Sequence, residues 1–518
     1  MEDREKKPVV DEDGYIYYLG EEIGRGGQGV TWRTQDPNIL VKIRINPSTG
    51  EPISDEAVYE KFKREIDEVR SLDIPTDMHI AMPVSLLQKP CCGYTMKLLP
   101  DMKSIKYWIR PFERVDKPGL FFYKTGGLRH RYRLLMNVAE IFTRLYAHRA
   151  VYADLSPENI LVSGTLDSSE VWLIDADNMR YRFDIEKEIG TPGYRAPEIE
   201  NGGLNSLAAD AYSFAIIAHE VLTMNSPFNG ALLTEGESGG WDDDEADYAQ
   251  LAQKGEVPWI YDPEDTSNST KVGLRPEISM TEPVRALFER TFSEEGRKNP
   301  AGRPRMQEWY TALRQAAGLT AECIHCHSTY LFRNPDSKCP FCKQGRTIER
   351  GKMIVAGIID RYNVESIVKK VNEDIASFNG QDEGDGYFIE GITAEEIRSK
   401  KNIGTVVMDN LPGTYYLYNY HTYMTSVSEK AEPTIAIEVS DHEYIIRNKM
   451  KKAIRMCTSE RDLGKIQPGG TQKVSNIHNI ILKMSVLRDD EDCHMEEDEF
   501  ETDHIAELCE RNIIFQVI

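Results

Sequence analysis

At 518 residues with 40% hydrophobic content, the chain is too long for one hydrophobic core and has enough apolar residues to fill several. Acidic residues outnumber basic ones by 85 to 62, and the resulting net charge of −23 argues against nucleic acid and anionic lipid as default partners. No apolar run approaches the roughly 20 residues that span a bilayer, Met1 to Asp13 is charged, and the nine cysteines are an odd number, so no membrane and a reducing, cytoplasmic setting are expected. In chain order, residues 1–14 read as a flexible tail. Strand-like runs follow at Tyr15 to Leu19, Asn38 to Ile45 and Tyr94 to Leu98, with one helical pattern, Glu56 to Leu72, among them. Helical patterns then dominate to residue 317, notably Arg131 to His148 and Asp210 to Thr223. The expectation is a small β-rich lobe over 15–98 and a larger helical lobe over 99–317. A cysteine-bearing segment occupies 318–349. Within 350–518, short strands are expected at Thr434 to Val439, Tyr444 to Arg447, Ala453 to Met456, Ile477 to Met484 and Asn512 to Ile518. Turn chemistry at Gln467-Pro468-Gly469-Gly470 separates two of them, and a small β-sandwich is expected, possible subdivision left open. Two acidic stretches, Glu235 to Asp247 and Asp489 to Asp503, read as solvated loops.

Several segments carry chemistry. Gly24, Gly26 and Gly29 fall in Gly24-Arg25-Gly26-Gly27-Gln28-Gly29 between two strand-like runs, where backbone N–H groups can close over phosphates without Cβ interference. An ordinary hairpin turn reads the same way. Lys42 is a charge inside the apolar run Ile39 to Ile43 and needs a partner or ligand; Glu65, on the following helix, is the natural candidate. The stretch Tyr152-Ala153-Asp154-Leu155-Ser156-Pro157-Glu158-Asn159-Ile160-Leu161, followed by Val171 to Ile174 and Asp175, sets three metal- or proton-handling residues in strict order.

From these motifs residues 15–317 resemble the eukaryotic-type (Hanks-type) Ser/Thr protein kinase family, bacterial members included. Gly190-Thr191-Pro192-Gly193-Tyr194-Arg195-Ala196-Pro197-Glu198 resembles the end of its activation segment, Asp210 matches the aspartate opening its large buried helix, and Arg303 matches the arginine that pairs with Glu198. Small-molecule kinases lack that segment, so a protein substrate is implied. The resemblance implies a bilobal α+β fold and transfer of the ATP γ-phosphate to Ser/Thr, with ATP and Mg²⁺ as cofactors. It gives Lys42 the α- and β-phosphates, held by Glu65; Asn159 and Asp175 the Mg²⁺; and Asp154 the substrate hydroxyl proton. Met96 falls at the gatekeeper, Lys97 to Leu99, with Leu98 central, at the hinge, and Leu161 on the pocket floor. Thr191 favours serine and threonine over tyrosine.

The family's His-Arg-Asp is Tyr152-Ala153-Asp154 here, its following lysine is Ser156, and its Asp-Phe-Gly is Asp175-Ala176-Asp177. Tyr152 is expected to fill the space that Ala176 leaves. A pseudokinase scaffold that binds nucleotide and partners is the competing reading. Ala153 cannot hold a loop phosphate, and Tyr181 is the only hydroxyl side chain between Asp175 and Gly190, so activity without loop phosphorylation is expected.

Cys323 and Cys326, with Cys339 and Cys342, form two pairs on two short turns, the spacing of a closed, structural Zn²⁺ ribbon. Disulfides are the alternative. A kinase domain followed by a zinc ribbon is similar to bacterial kinases that act beside a PP2C-type phosphatase and a von Willebrand A-type protein. The remainder loosely resembles forkhead-associated sandwiches, with no second active site; a docking or regulatory module is expected, and a stabilising domain is the alternative.

Overall fold

The computed structural model describes residues 8–26, 29–46, 48–111, 114–166, 168–181, 189–236, 247–323, 325–333, 338–343, 353–369, 372–373, 400–422, 432–440, 443–486 and 509–518. Most of both acidic stretches lies outside the described residues. The chain divides into two compact units, Met1–Arg314 and Gln315–Ile518.

In the first unit a five-stranded antiparallel sheet is built from β1 (Glu22–Arg25), β2 (Gly29–Arg33), β3 (Ile39–Arg44), β4 (Ser85–Leu86) and β5 (Gly93–Lys97), in the order β1-β2-β3-β5-β4. Helix α1 (Glu56–Arg70) starts where the Asp55 carboxylate accepts the Val58 N–H at 3.0 Å, so an otherwise orphaned donor is satisfied. Its apolar residues Tyr59, Phe62, Ile66 and Val69 recur at helical spacing, and all four are buried. Tyr59, Phe62 and Ile66 pack with Leu40, Tyr94, Met96 and Leu98 of the sheet side.

The larger part is helical. Helix α2 (Gly127–Ala147) begins four residues earlier than the periodic pattern suggests, because Gly126 at φ +90° supplies a left-handed entry. A three-stranded sheet of β6 (Met102–Ser104), β7 (Ile160–Ser163) and β8 (Val171–Leu173) carries the segment between the motif residues. Helix α3 (Leu207–Thr223) carries apolar residues on every side, with its few polar ones buried among them, and is almost wholly buried, as a helix without a solvent-facing polar stripe must be. Glu198, after the activation-type segment, receives a bidentate pair from Arg303 at 2.8 and 2.8 Å, as the motif order predicts. No described helix is long and apolar enough to cross a membrane.

The second unit contains the hairpin β9 (Thr320–Glu322) and β10 (Thr329–Leu331) and two larger antiparallel sheets. One is six-stranded: β11 (Met353–Tyr362) and β12 (Lys400–Asp409) lie with β16 (Ile454–Cys457), β17 (Asp462–Ile466), β19 (Ile481–Ser485) and β20 (Cys509–Val517), in the order β12-β11-β20-β19-β16-β17. The other is four-stranded, β13 (Gly413–Tyr418), β14 (Pro433–Val439), β15 (Tyr444–Asn448) and β18 (Thr471–Val474) in consecutive contact. Residues of both sheets, among them Ile354, Ile358, Leu417, Ile437, Leu482 and Phe515, share one hydrophobic core. Four of the five expected strands coincide with observed ones to within a few residues; the fifth, from Ile477, begins only at Ile481. The Gln467 turn is present: Gly469 takes φ +72° and the Gly470 N–H donates to Gln467 O at 2.8 Å, joining β17 to β18, two polar strands that the pattern did not disclose.

Candidate active site

The loop from Tyr152 to Asn159 is fixed from below by Asp210, at the start of α3. Its carboxylate accepts the N–H groups of Tyr152 (2.8 Å) and Ala153 (3.0 Å), while the Asn205 amide donates to Ala153 O at 3.0 Å. These bonds hold Ala153 at φ +72°, a conformation an alanine adopts only under such constraint. Asp154 follows directly. Its Oδ1 accepts the Thr191 hydroxyl at 2.8 Å and its carbonyl accepts the Asn159 amide at 2.8 Å. Burial raises the Asp154 carboxyl, the Thr191 hydrogen bond works against that, and Asp175 and Asp177 add to the rise. An acid so placed is closer to proton-accepting duty than a solvated aspartate.

Asp175 lies in the left-handed region, φ +57°, at the turn after β8, and the N–H of Ile174 just before it donates to Asn159 O at 3.0 Å. The backbones of the two residues expected to hold Mg²⁺ are therefore tied together. The Tyr152 hydroxyl donates to Ile174 O, and both Tyr152 and Ala176 are fully buried, consistent with the large residue compensating the small one.

Lys42 departs from expectation. Its Nζ lies 3.0 Å from Asp177 Oδ2 and 3.2 Å from Asp175 Oδ1, whereas Glu65 Oε2 takes Arg44 Nη1 at 3.2 Å. Lys42 and Arg44 are two residues apart, on the same face of β3, and the longer Arg44 meets α1. Asp177 stands where the family has glycine and brings a carboxylate to Lys42, so the expected Lys42–Glu65 pair is replaced by two different pairs. Burial disfavours the Lys42 charge, but Tyr94, Asp177 and Asp175 outweigh it and hold the ammonium well above its ordinary value. Asp177 and Arg44 are the residues that sequence reasoning passed over. The only available signal was an acid two positions beyond Asp175.

Gly24 ends close to the β1–β2 turn, and a Cβ at Gly24 or Gly26 would meet open space. At Gly29 it would come within 3.0 Å of Ile43 O and 3.4 Å of Lys42 Cε, so glycine there keeps the lysine stem clear. Gly26 N–H donates to Gly29 O at 2.9 Å; Gly27 and Gln28 lie outside the described residues. Met96 faces Leu40 across β5 and β3 and is buried. Leu98 is buried too, packed with Tyr59, Phe62 and Ile66, and its N–H donates to Asn38 O at 2.7 Å. Leu161, half-buried in β7, is in register with Trp172 and Ser104.

Residues 120–269 match the protein kinase domain family. Over these residues the chain is similar to protein kinase domains. The match includes Asp154, Asn159, Asp175 and Thr191 and stops short of Lys42 and Glu65. Three bacterial proteins are similar to it. They are the serine/threonine-protein kinase PknD of Protochlamydia amoebophila (24% identical, over 42% of this chain and 24% of that protein), PkaA of Streptomyces coelicolor (25%, over 43% and 41%) and pkn2 of Myxococcus xanthus (24%, over 40% and 24%). The matched part of the chain thus spans a quarter to two-fifths of the length of these relatives.

A second constellation lies in the other unit. The thiols of Cys323, Cys326, Cys339 and Cys342 all lie within 4.8 Å of one another. Two separations are 3.8 Å (Cys323 to Cys342) and 3.7 Å (Cys326 to Cys339). A tetrahedron with metal–sulfur bonds of about 2.3 Å has sulfur–sulfur edges of about 3.8 Å, whereas a disulfide needs about 2.05 Å. The donor set therefore fits a tetrahedral ion such as zinc. The two halves repeat one device: His327 (φ +57°) and Lys343 (φ +55°) each donate their N–H to the carbonyl of the cysteine four residues before, at 2.8 and 3.2 Å. Cys323 and Cys339 share a small core with Tyr330, Met353 and Val407, so the cluster is seated on the β11–β12 sheet.

Proposed function

We propose that this protein is an ATP- and Mg²⁺-dependent protein kinase that phosphorylates serine or threonine. The observation that carries the reading is the Thr191 hydroxyl 2.8 Å from Asp154 Oδ1, in a loop that Asp210 and Asn159 hold in place. A scaffold without catalysis has no use for that arrangement together with Lys42 and Asp175, which disfavours the pseudokinase reading.

In the proposed reaction Asp154 orients the substrate hydroxyl and accepts its proton as the hydroxyl oxygen bonds to the γ-phosphorus and the bond from that phosphorus to the β–γ bridging oxygen breaks, releasing ADP. Lys42 leaves Asp177 and Asp175 to hold the α- and β-phosphates, and Asn159 and Asp175 would hold Mg²⁺, which would supply neutralisation of charge on the transferred phosphoryl group. Gly24, Gly26 and Gly29 close over the phosphates, and Met96, Leu98 and Leu161 bound the adenine. Glu65 can return to Lys42 once phosphate competes with Asp177, making its role conditional on nucleotide. With Ala153 in place of an arginine, the enzyme works without loop phosphorylation. The Tyr181 hydroxyl, which accepts the Asp73 N–H at 3.2 Å, is engaged within the fold.

The four cysteines are proposed to hold one structural Zn²⁺, and the two sheets with their common core to form a sandwich-like docking module. Kinase-plus-ribbon architecture supports a signalling or stress role beside a PP2C-type phosphatase and a von Willebrand A-type protein. Incubation of purified chain with labelled ATP and Mg²⁺, beside Asp154→Asn, tests the central reading: incorporation into serine or threonine that the substitution removes is expected, and equal incorporation by both proteins sinks it.

A further inference from the structure

A groove of about 740 Å³ opens in the first unit, and its wall includes Tyr194, three residues beyond Thr191. Four cations line it: Lys103, Lys106, Arg110 and Arg114. Lys106 is engaged by Glu158 of the Asp154 loop, which makes the rim of the groove continuous with that loop. Lys103, Arg110 and Arg114 are exposed and, among the described residues, have no carboxylate partner. Two of them are held in place by aromatic rings. Lys103 Nζ lies 5.5 Å and the Arg110 guanidinium 5.3 Å from the centre of the Tyr107 ring, so their charges stand on a shelf with part of their ordering cost already met.

Among the described residues Glu220 is the one acid in the lining. It is buried and accepts the Tyr194 hydroxyl at 3.0 Å, and burial pushes its carboxyl up to about 8, so at neutral pH it is largely protonated and does not cancel the cations. A concave, positive surface in a chain of net charge −23 runs against the average of the molecule.

We propose that this groove binds an acidic polypeptide segment flanking the serine or threonine to be phosphorylated, a specificity that rests on the kinase reading above. A short segment with a few carboxylates meets the local cations within a Debye length of about 8–10 Å. A long polyanion such as a nucleic acid would also meet the surrounding negative surface, which disfavours it.

The test uses the full chain and three fluorescent peptides that share one serine and differ in their flanks: Asp/Glu, Gln/Ala or Lys/Arg. Binding is read by anisotropy and phosphorylation by kcat and KM. Three exposed ion pairs give an expected preference of about tenfold in kcat/KM for the acidic peptide over the uncharged one, expressed in KM and weakened by salt. The double variant Lys103→Glu with Arg114→Glu should reverse the ranking of acidic and basic peptides and leave the uncharged peptide's kcat/KM within about twofold. Equal kcat/KM for all three peptides overturns the proposal, as does a loss in the variant shared by all three. A single-stranded oligonucleotide of equal charge that binds more tightly than the acidic peptide also overturns it. Tight binding of the acidic peptide, lost in the variant, with no phosphate incorporated, supports the groove and removes the kinase reading instead.

Discussion

Lys42 Nζ sits 3.0 Å from Asp177 Oδ2, so the ammonium that should meet nucleotide phosphate is held by a carboxylate from the turn after β8. In the proposed reaction nucleotide displaces that carboxylate. Asp177→Asn keeps the shape and removes the charge, and at roughly 1 kcal/mol for a partly buried pair it should lower KM for ATP by about fivefold. Steady-state kinetics at varied ATP checks this; an unchanged or higher KM would show that Asp177 is not a competitor for Lys42.

Thr191 should matter through its hydroxyl alone. Thr191→Ala removes the bond to Asp154 Oδ1 and should reduce kcat by about 10²-fold, while Thr191→Ser keeps most of it. Peptide phosphorylation by the two variants side by side decides the matter, and similar losses in both would point to packing rather than the hydrogen bond.

The cysteine cluster should bind one zinc per chain. Cys339→Ser removes one ligand from a set in which all four thiols converge, so metal content by mass spectrometry should fall from one equivalent towards zero and proteolysis should open the segment around the β9–β10 hairpin, because binding energy at such a site is folding energy. Fresh, reduced wild-type protein without zinc would refute the assignment.

His219 on α3 makes a pH prediction. Its Nδ1 meets Asn225 O at 2.9 Å, the ring is enclosed by Trp259, Tyr261, Phe288 and Phe292, and burial pushes the imidazole down to about 4 from 6.5. Between pH 6.5 and 4 the unfolded chain takes up a proton that the folded ring refuses, so this contribution is fully present above 6.5 and is lost as pH falls, by up to about 3 kcal/mol. Glu220, pushed to about 8 by burial, has the opposite sign, since the folded chain binds its proton first as pH falls. His219→Asn retains a donor near Nδ1; it should cost about 2 kcal/mol at pH 7 and flatten the acid limb of the denaturation midpoint against pH. An acid limb as steep as that of the wild type would assign the sensitivity to other groups.

The sequence by itself determined those features whose cause is local or written as ordered motifs. Helix α1 follows from the spacing of Tyr59, Phe62, Ile66 and Val69, the cysteine cluster from two short cysteine turns, and the Arg303–Glu198 pair and the place of Asp210 at the start of α3 from motif order. Pairings between residues far apart were decided only by the tertiary structure. Strand β11 went unread in part because Asp360 interrupts its apolar run. In the fold Asp360 lies in register with Arg511 of β20, at 2.6 and 2.7 Å, and both side chains are buried, so two charges that each suggest a surface satisfy one another inside. Lys42 is the same case in reverse. Its need for a carboxylate is evident in the run Ile39 to Ile43, but the choice among Glu65, Asp175 and Asp177 depends on distances of a few ångströms between segments up to 135 residues apart in sequence, which no spacing along the chain encodes.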